Sequence, residues 1–142
     1  MPDYVSSAEA QAACADVKNV WNVAGVFNEA RMLLDLGAVE GEINAACQSR
    51  YAVPVTNSYA TAFLKGIAVA LLRAKAYSNL AAVETPEVIL QESRAARGQL
   101  RDISGGRLEL AGASQQADSG LPEHIGYVGN EVACSREKLE RW

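Results

Sequence analysis

The stretch from Glu42 to Tyr77 constrains this chain most, because it must hold two helices that cannot be one. Ile43, Ala46, Cys47, Arg50 and Tyr51 recur at three-and-four spacing, which places them on one side of a helix. Pro54 has no amide hydrogen to donate and pushes Val53 toward extended angles, so Ala52–Val55 is predicted as an extended corner. Beyond the corner, Ala60–Tyr77 reads as a helix that is apolar on nearly every side through Phe63, Leu64, Ile67, Ala68, Val69, Ala70, Leu71 and Leu72. Such a helix has to be surrounded by others. The predicted fold class is therefore all-α: a small bundle of about four helices with this one at its centre.

The remaining helices follow from their ends. Ser6-Ser7-Ala8-Glu9 has the hydroxyl and carboxylate of a reciprocal N-terminal cap, and opens a short helix to about Asp16. Val17–Gly25 is predicted as a loop with a short extended piece around Asn19–Val23. Asn28 is placed to cap a long helix reaching Arg50. Gly37 and Gly41 inside it each cost about 1 kcal/mol relative to alanine, which suggests close helix contact or a break, with an assembly hinge as the sharper alternative. Thr85-Pro86-Glu87 predicts another start, with threonine as cap and proline at the first helical position. Ile89, Ser93, Ala96, Leu100 and Ile103 form its narrow apolar stripe, and Ser104-Gly105-Gly106 ends it.

Residues 1–104 are thus predicted as the bundle and 105–142 as a long, Gly-rich, extended C-terminal arm. Glycines at 105, 106, 112, 120, 126 and 129 interrupt a segment without helical or strand period. Leu108 and Leu110 alternate with polar neighbours, and Leu121, Ile125, Tyr127, Val128 and Val132 follow singly. Ser135–Trp142 has the pattern of two helical turns. Fully extended, the arm spans on the order of 100 Å at ~3.3 Å per residue. It is expected to order on a partner; the alternative is a tail without a role.

Composition removes several function classes. With 13 Lys and Arg against 17 Asp and Glu, the net charge of −4 argues against a surface built to neutralise many phosphates. Cys14, Cys47 and Cys134 are odd in number and scattered, and with the lone His124 they lack metal-ligand spacing, so buried free thiols and a reducing site of synthesis are expected. No catalytic set converges: His124 sits in the arm, Glu40 and Glu42 lie two apart on a helix and are assigned to a solvated face, and no phosphate loop is present. No enzyme, metal or cofactor is predicted. The N-terminus lacks the pattern of a signal peptide, and Lys65 and Arg73 break the best apolar run, so no membrane span is expected.

One pattern is more specific. Glu42-Ile43 at a helix end, the Arg50-Tyr51-x-x-Pro54 corner, Leu64-Lys65-x-Ile67-Ala68 opening the next helix, and Arg73 and Tyr77 closing it resemble the Mu-like group of head-tail joining proteins of tailed phages. The likeness extends over roughly residues 1–110. The chain departs from the group where Asn57-Ser58 replaces a second proline and Ala46-Cys47 replaces a bulkier pair. The resemblance implies a virion protein, made in the host cytoplasm and residing in the neck as a head-tail connector or adaptor. It implies a homo-oligomeric ring under the portal protein, of about twelve copies if the portal sets the symmetry. Genomic DNA would pass through the lumen without sequence-specific binding, and the far rim would meet the next neck or tail protein. Under it, Leu121, Ile125, Tyr127, Val132, Leu139 and Trp142 dock the arm on the portal or an adjacent subunit, while Arg50 and Arg73 meet carboxylates of neighbouring subunits. The alternatives are a stopper or tail-completion protein, and a small cytoplasmic DNA-binding regulator, against which the acidic balance counts.

Overall fold

A computed structural model describes residues 3–80 and 83–116. Its elements are α1 (Ser7–Ala13), a 3-10 turn (Lys18–Trp21), β1 (Asn22–Val23), β2 (Val26–Phe27), α2 (Glu29–Cys47), α3 (Ser58–Ser78) and α4 (Glu87–Ser104). The fold is a mostly helical bundle with one small antiparallel hairpin. Ser6 and Glu9 form the reciprocal cap expected of α1. Asn28 accepts from the Arg31 amide at 3.1 Å, and Asn57 from the amides of Tyr59 and Ala60 at 3.0 and 3.3 Å. Each satisfies donors that a helix start leaves unpaired. At α4 the sequence reading is off by one residue. Pro86 itself occupies the cap position, so Thr85 makes no capping bond.

Val17–Gly25 departs further from expectation. The extended piece expected around 19–23 is present only as Asn22–Val23, the first strand of a hairpin that pairs Asn22 with Phe27 and Val23 with Val26, and Lys18–Trp21 before it make a 3-10 turn. The tight turn puts Ala24 at φ 51° and Gly25 at φ 82°, the pair of left-handed residues that matches the twist of a two-residue hairpin. Burial drives this. Trp21 is fully buried, and its Nε1 donates to Asp35 Oδ2 at 2.9 Å.

α2, α3 and α4 pack pairwise, and α1 with the 3-10 turn covers the seam between α2 and α3. Trp21, Met32, Leu36, Ile43, Leu64, Leu72 and Ile103 are the largest fully buried side chains. The α4 stripe Ile89, Ser93, Ala96, Leu100 and Ile103 is buried as a set, as its spacing predicts. Gly37 and Gly41 are corrected: α2 runs unbroken through both, and a Cβ built on either meets no atom within 4 Å. They lie on the outer face of the helix, not at a contact inside the bundle. Among the described residues no helix is long and apolar enough to cross a membrane.

Candidate functional site

The corner after α2 is held from two sides by segments distant in sequence. Tyr51 is buried, and its hydroxyl accepts the Leu110 amide hydrogen at 3.0 Å. Around it, the Ala52 amide donates to the Ser114 carbonyl at 3.0 Å, the Gln116 amide donates to the Arg50 carbonyl at 2.9 Å, and Tyr51 pairs with Gln115 as an isolated antiparallel bridge. On the other side, Tyr4 donates its phenolic hydrogen to Asn44 Oδ1 and accepts from the Val55 amide at 3.1 Å. Thr61 donates to the Val55 carbonyl at 3.0 Å. A proline corner has few backbone bonds of its own, so segments far apart in sequence supply them.

The segment from 105 to 116, which the sequence assigns to the arm, therefore lies on the bundle. Leu110 is buried in the core. Two of its glycines fit the corner closely: Gly106 at φ 75° leaves 2.8 Å between a built Cβ and the Arg50 guanidinium, and Gly112 at φ 72° leaves 2.6 Å to the Asn57 amide nitrogen. At both positions the left-handed backbone strains any residue with a side chain, and a Cβ would also have to displace the neighbouring Arg50 or Asn57 side chain. The arm residues Leu121, Ile125, Tyr127, Val132, Leu139 and Trp142, like His124 and Cys134, lie outside the described residues.

Replacing Tyr51 with phenylalanine tests the clasp. It keeps the ring but leaves the buried Leu110 amide without its acceptor, a cost of about 1–3 kcal/mol. Amide exchange across Leu110–Gln116 is expected to accelerate at least roughly tenfold, with α3 unchanged. Equal protection in both proteins would show that the clasp is held elsewhere.

Arg50 and Arg73 sit differently from each other. The Arg50 guanidinium lies 5.9 Å over the Tyr51 ring and under Gly106, with one terminal nitrogen buried and without a hydrogen-bond partner among the described residues. Arg73 reaches Asp16 and Glu92, each at 3.7 Å, and so links α3 to α4 and to the residues after α1. Tyr77 donates to Asp16 in the same cluster. That bond holds the Asp16 carboxyl below its ordinary range and raises the Tyr77 phenol. The other polar residues of the pattern also bind at home: Glu42 pairs with Arg97 at 2.9 Å, and Lys65 with Glu9. Exposed pairs of this kind contribute about 0–1 kcal/mol each; their role is to fix helix against helix. On α4, Arg94 pairs with Glu87 at 3.6 Å, and Arg107, just beyond the helix, pairs with Asp102 at 2.8 Å.

Glu40 overturns its assignment to a solvated face. It is 6% exposed, and its Oε1 accepts from the amides of Tyr4 at 2.9 Å and Val5 at 3.4 Å. Sequence reasoning missed both this carboxylate and Tyr4. A signal was there: Tyr4-Val5 precedes the Ser6 cap, where apolar residues fix the entry of a chain into a helix. Cys14 and Cys47 are free and buried. Burial pushes the Cys14 thiol up to about 11 and raises Cys47, so both stay protonated at neutral pH. Among the described residues no group of three or more His, Cys, Asp or Glu could hold a metal ion.

No curated protein matches the chain. The family model of bacteriophage Mu Gp36 matches residues 1–124, which takes in the whole bundle, the corner and its clasp. The chain belongs to the bacteriophage Mu Gp36 family and is a phage protein.

Proposed function

We propose that this chain is a structural protein of the virion neck, a head-tail connector of the adaptor type that forms a ring under the portal and prolongs the DNA channel. The observation that carries the reading is the Mu Gp36 family match over residues 1–124, within which the described residues pack as one bundle around a doubly held corner. A channel wall must keep its shape while DNA moves past it. Corner, clasp and interhelical pairs serve that task, and the net charge of −4 keeps the passing polymer from sticking. Residues 117–142 supply the docking arm, whose modest contacts gain strength when repeated around a ring. The protein performs no reaction and takes no cofactor. It resides at the head-tail interface, with the portal on one side and the next neck or tail component on the other.

Co-expression with the portal protein of the same phage tests this. A ring that co-purifies with the portal, and lies beneath it in images of the particle neck, is the expected result. Deleting residues 117–142 is expected to weaken that association by at least roughly a hundredfold, as loss of a multivalent contact does. Absence from purified virions would overturn the proposal. So would tight, salt-sensitive binding of short duplex DNA by the isolated protein, which is the mark of the regulator reading.

A further inference from the structure

The central helix is not enclosed on all sides as its composition suggests. One stripe of α3 is open: Tyr59 is 80% exposed, Phe63 is 37% exposed, and Gly66 and Ala70 below them floor a groove of about 340 Å³ between α3 and α4. Ala95 and Gln99 form the far wall, and Glu92 lies at its end. One helical turn before Glu92 stands Val88, 64% exposed. No residue of α2 lines this groove. Among the described residues nothing covers the outer face of α2, a second open surface. Leu34 stands out from it, 76% exposed, and Gly37 and Gly41 continue it as a smooth strip.

We infer that these two surfaces are the halves of one contact, in which the Leu34 face of α2 in one copy seats against the α3–α4 groove of a second copy. This rests on the ring reading above and names the subunit faces that would form it. The register argues for it. Glu42 contacts Arg97, and α2 and α4 run in the same sense at 1.5 Å per residue, so Arg31 is level with Pro86 and Leu34 with Ile89. A neighbour set beside the first at the same height therefore brings Leu34 to Val88 and the glycines of α2 to the small residues of the groove.

Charge agrees with shape. Arg31 has no carboxylate within 4.0 Å among the described residues, and Glu84, exposed just before α4, has no cation within that distance. The side-by-side arrangement sets them against each other. A two-fold pairing about an axis along the helices would instead put Arg31 on Arg31 or Glu84 on Glu84. The contact is therefore heterologous, and repeating it generates a ring.

Disulfide trapping in the full-length chain tests the contact. In a Cys134→Ser background, Leu34→Cys and Val88→Cys are combined, and the protein is oxidised alone and with the portal present. The expected result is a ladder of dimers, trimers and higher species on a non-reducing gel, while each single variant gives dimers at most. Adding Arg31→Glu is expected to reduce the ladder at least roughly tenfold, and Arg31→Glu with Glu84→Arg to restore it. No ladder in either condition overturns the contact, as does a product that stops at dimer. A portal-bound ring without the cross-link refutes this interface and leaves the connector reading standing. A ladder from a protein that never binds the portal supports the interface and removes that reading.

Discussion

Replacing Trp21 with alanine is expected to destabilise the fold by about 3–5 kcal/mol, the usual cost of removing a large buried aromatic. Trp21 is fully buried, and the 3-10 turn that carries it packs against both α2 and α3. Its loss removes apolar contact area and also leaves Asp35 without the indole donor at 2.9 Å. Asp35 keeps the Asn79 amide at 3.1 Å and Lys75 at 3.9 Å, so the carboxylate is not abandoned and the cavity dominates. Urea unfolding followed by circular dichroism measures the effect: the midpoint should fall with the slope unchanged. Trp21→Phe separates the parts, since it keeps most of the volume and gives up the indole N–H. It should cost about half as much or less. A loss below roughly 1 kcal/mol for the alanine variant would mean that the 3-10 turn does not anchor the bundle.

Glu40→Ala is expected to cost about 2–4 kcal/mol, because two buried amides lose their acceptor together. The amides of Tyr4 and Val5 have no helical partners at this point, and both turn to Glu40 Oε1. The consequence travels. Tyr4 also holds the Val55 amide, so freeing the N-terminal segment loosens the proline corner about fifty residues away in sequence. Glu40→Gln retains an oxygen acceptor of the same shape and should lose clearly less. Hydrogen exchange at Tyr4–Ala10 and at Val55 reports the coupling. If the alanine variant unfolds at the wild-type denaturant concentration, the carboxylate is not what fastens the N-terminus.

Most of the helices were legible from residues that act locally. The Ser6–Glu9 cap, Asn28, the break at Pro54 and the α4 stripe are each decided within about a turn or two of helix, so spacing alone finds them. What escaped was decided at a distance. The hairpin exists because Trp21 needs burial against α2 and α3, which no property of Val17–Gly25 announces. Glu40 reads as surface until two amides from the N-terminus arrive over it. The clasp was hidden by its glycines, which read as freedom although Gly106 and Gly112 hold left-handed backbone angles that other residues rarely adopt. Leu108 and Leu110 alternate as a packed edge does, and that was the trace available. Of the recognised pattern, Ile43, Leu64, Ile67 and Ala68 proved to be core, which its apolar spacing anticipates. The home partners of Arg73 and Glu42 come from other helices and could not be read from either residue's neighbours.

The hydrogen bond from Gln116 to the Arg50 carbonyl also settles a matter of geography. It moors the chain where α2 stops, and the 26 residues from 117 to 142 begin there, a length of chain that can span at most about 85 Å at ~3.3 Å per residue. When copies stand shoulder to shoulder about an axis along their helices, every mooring point falls at the same height. In the proposed ring these attachment points would all belong to one rim, so its two rims would not be equivalent: residues 117–142 would leave the wall from the rim where α2 stops.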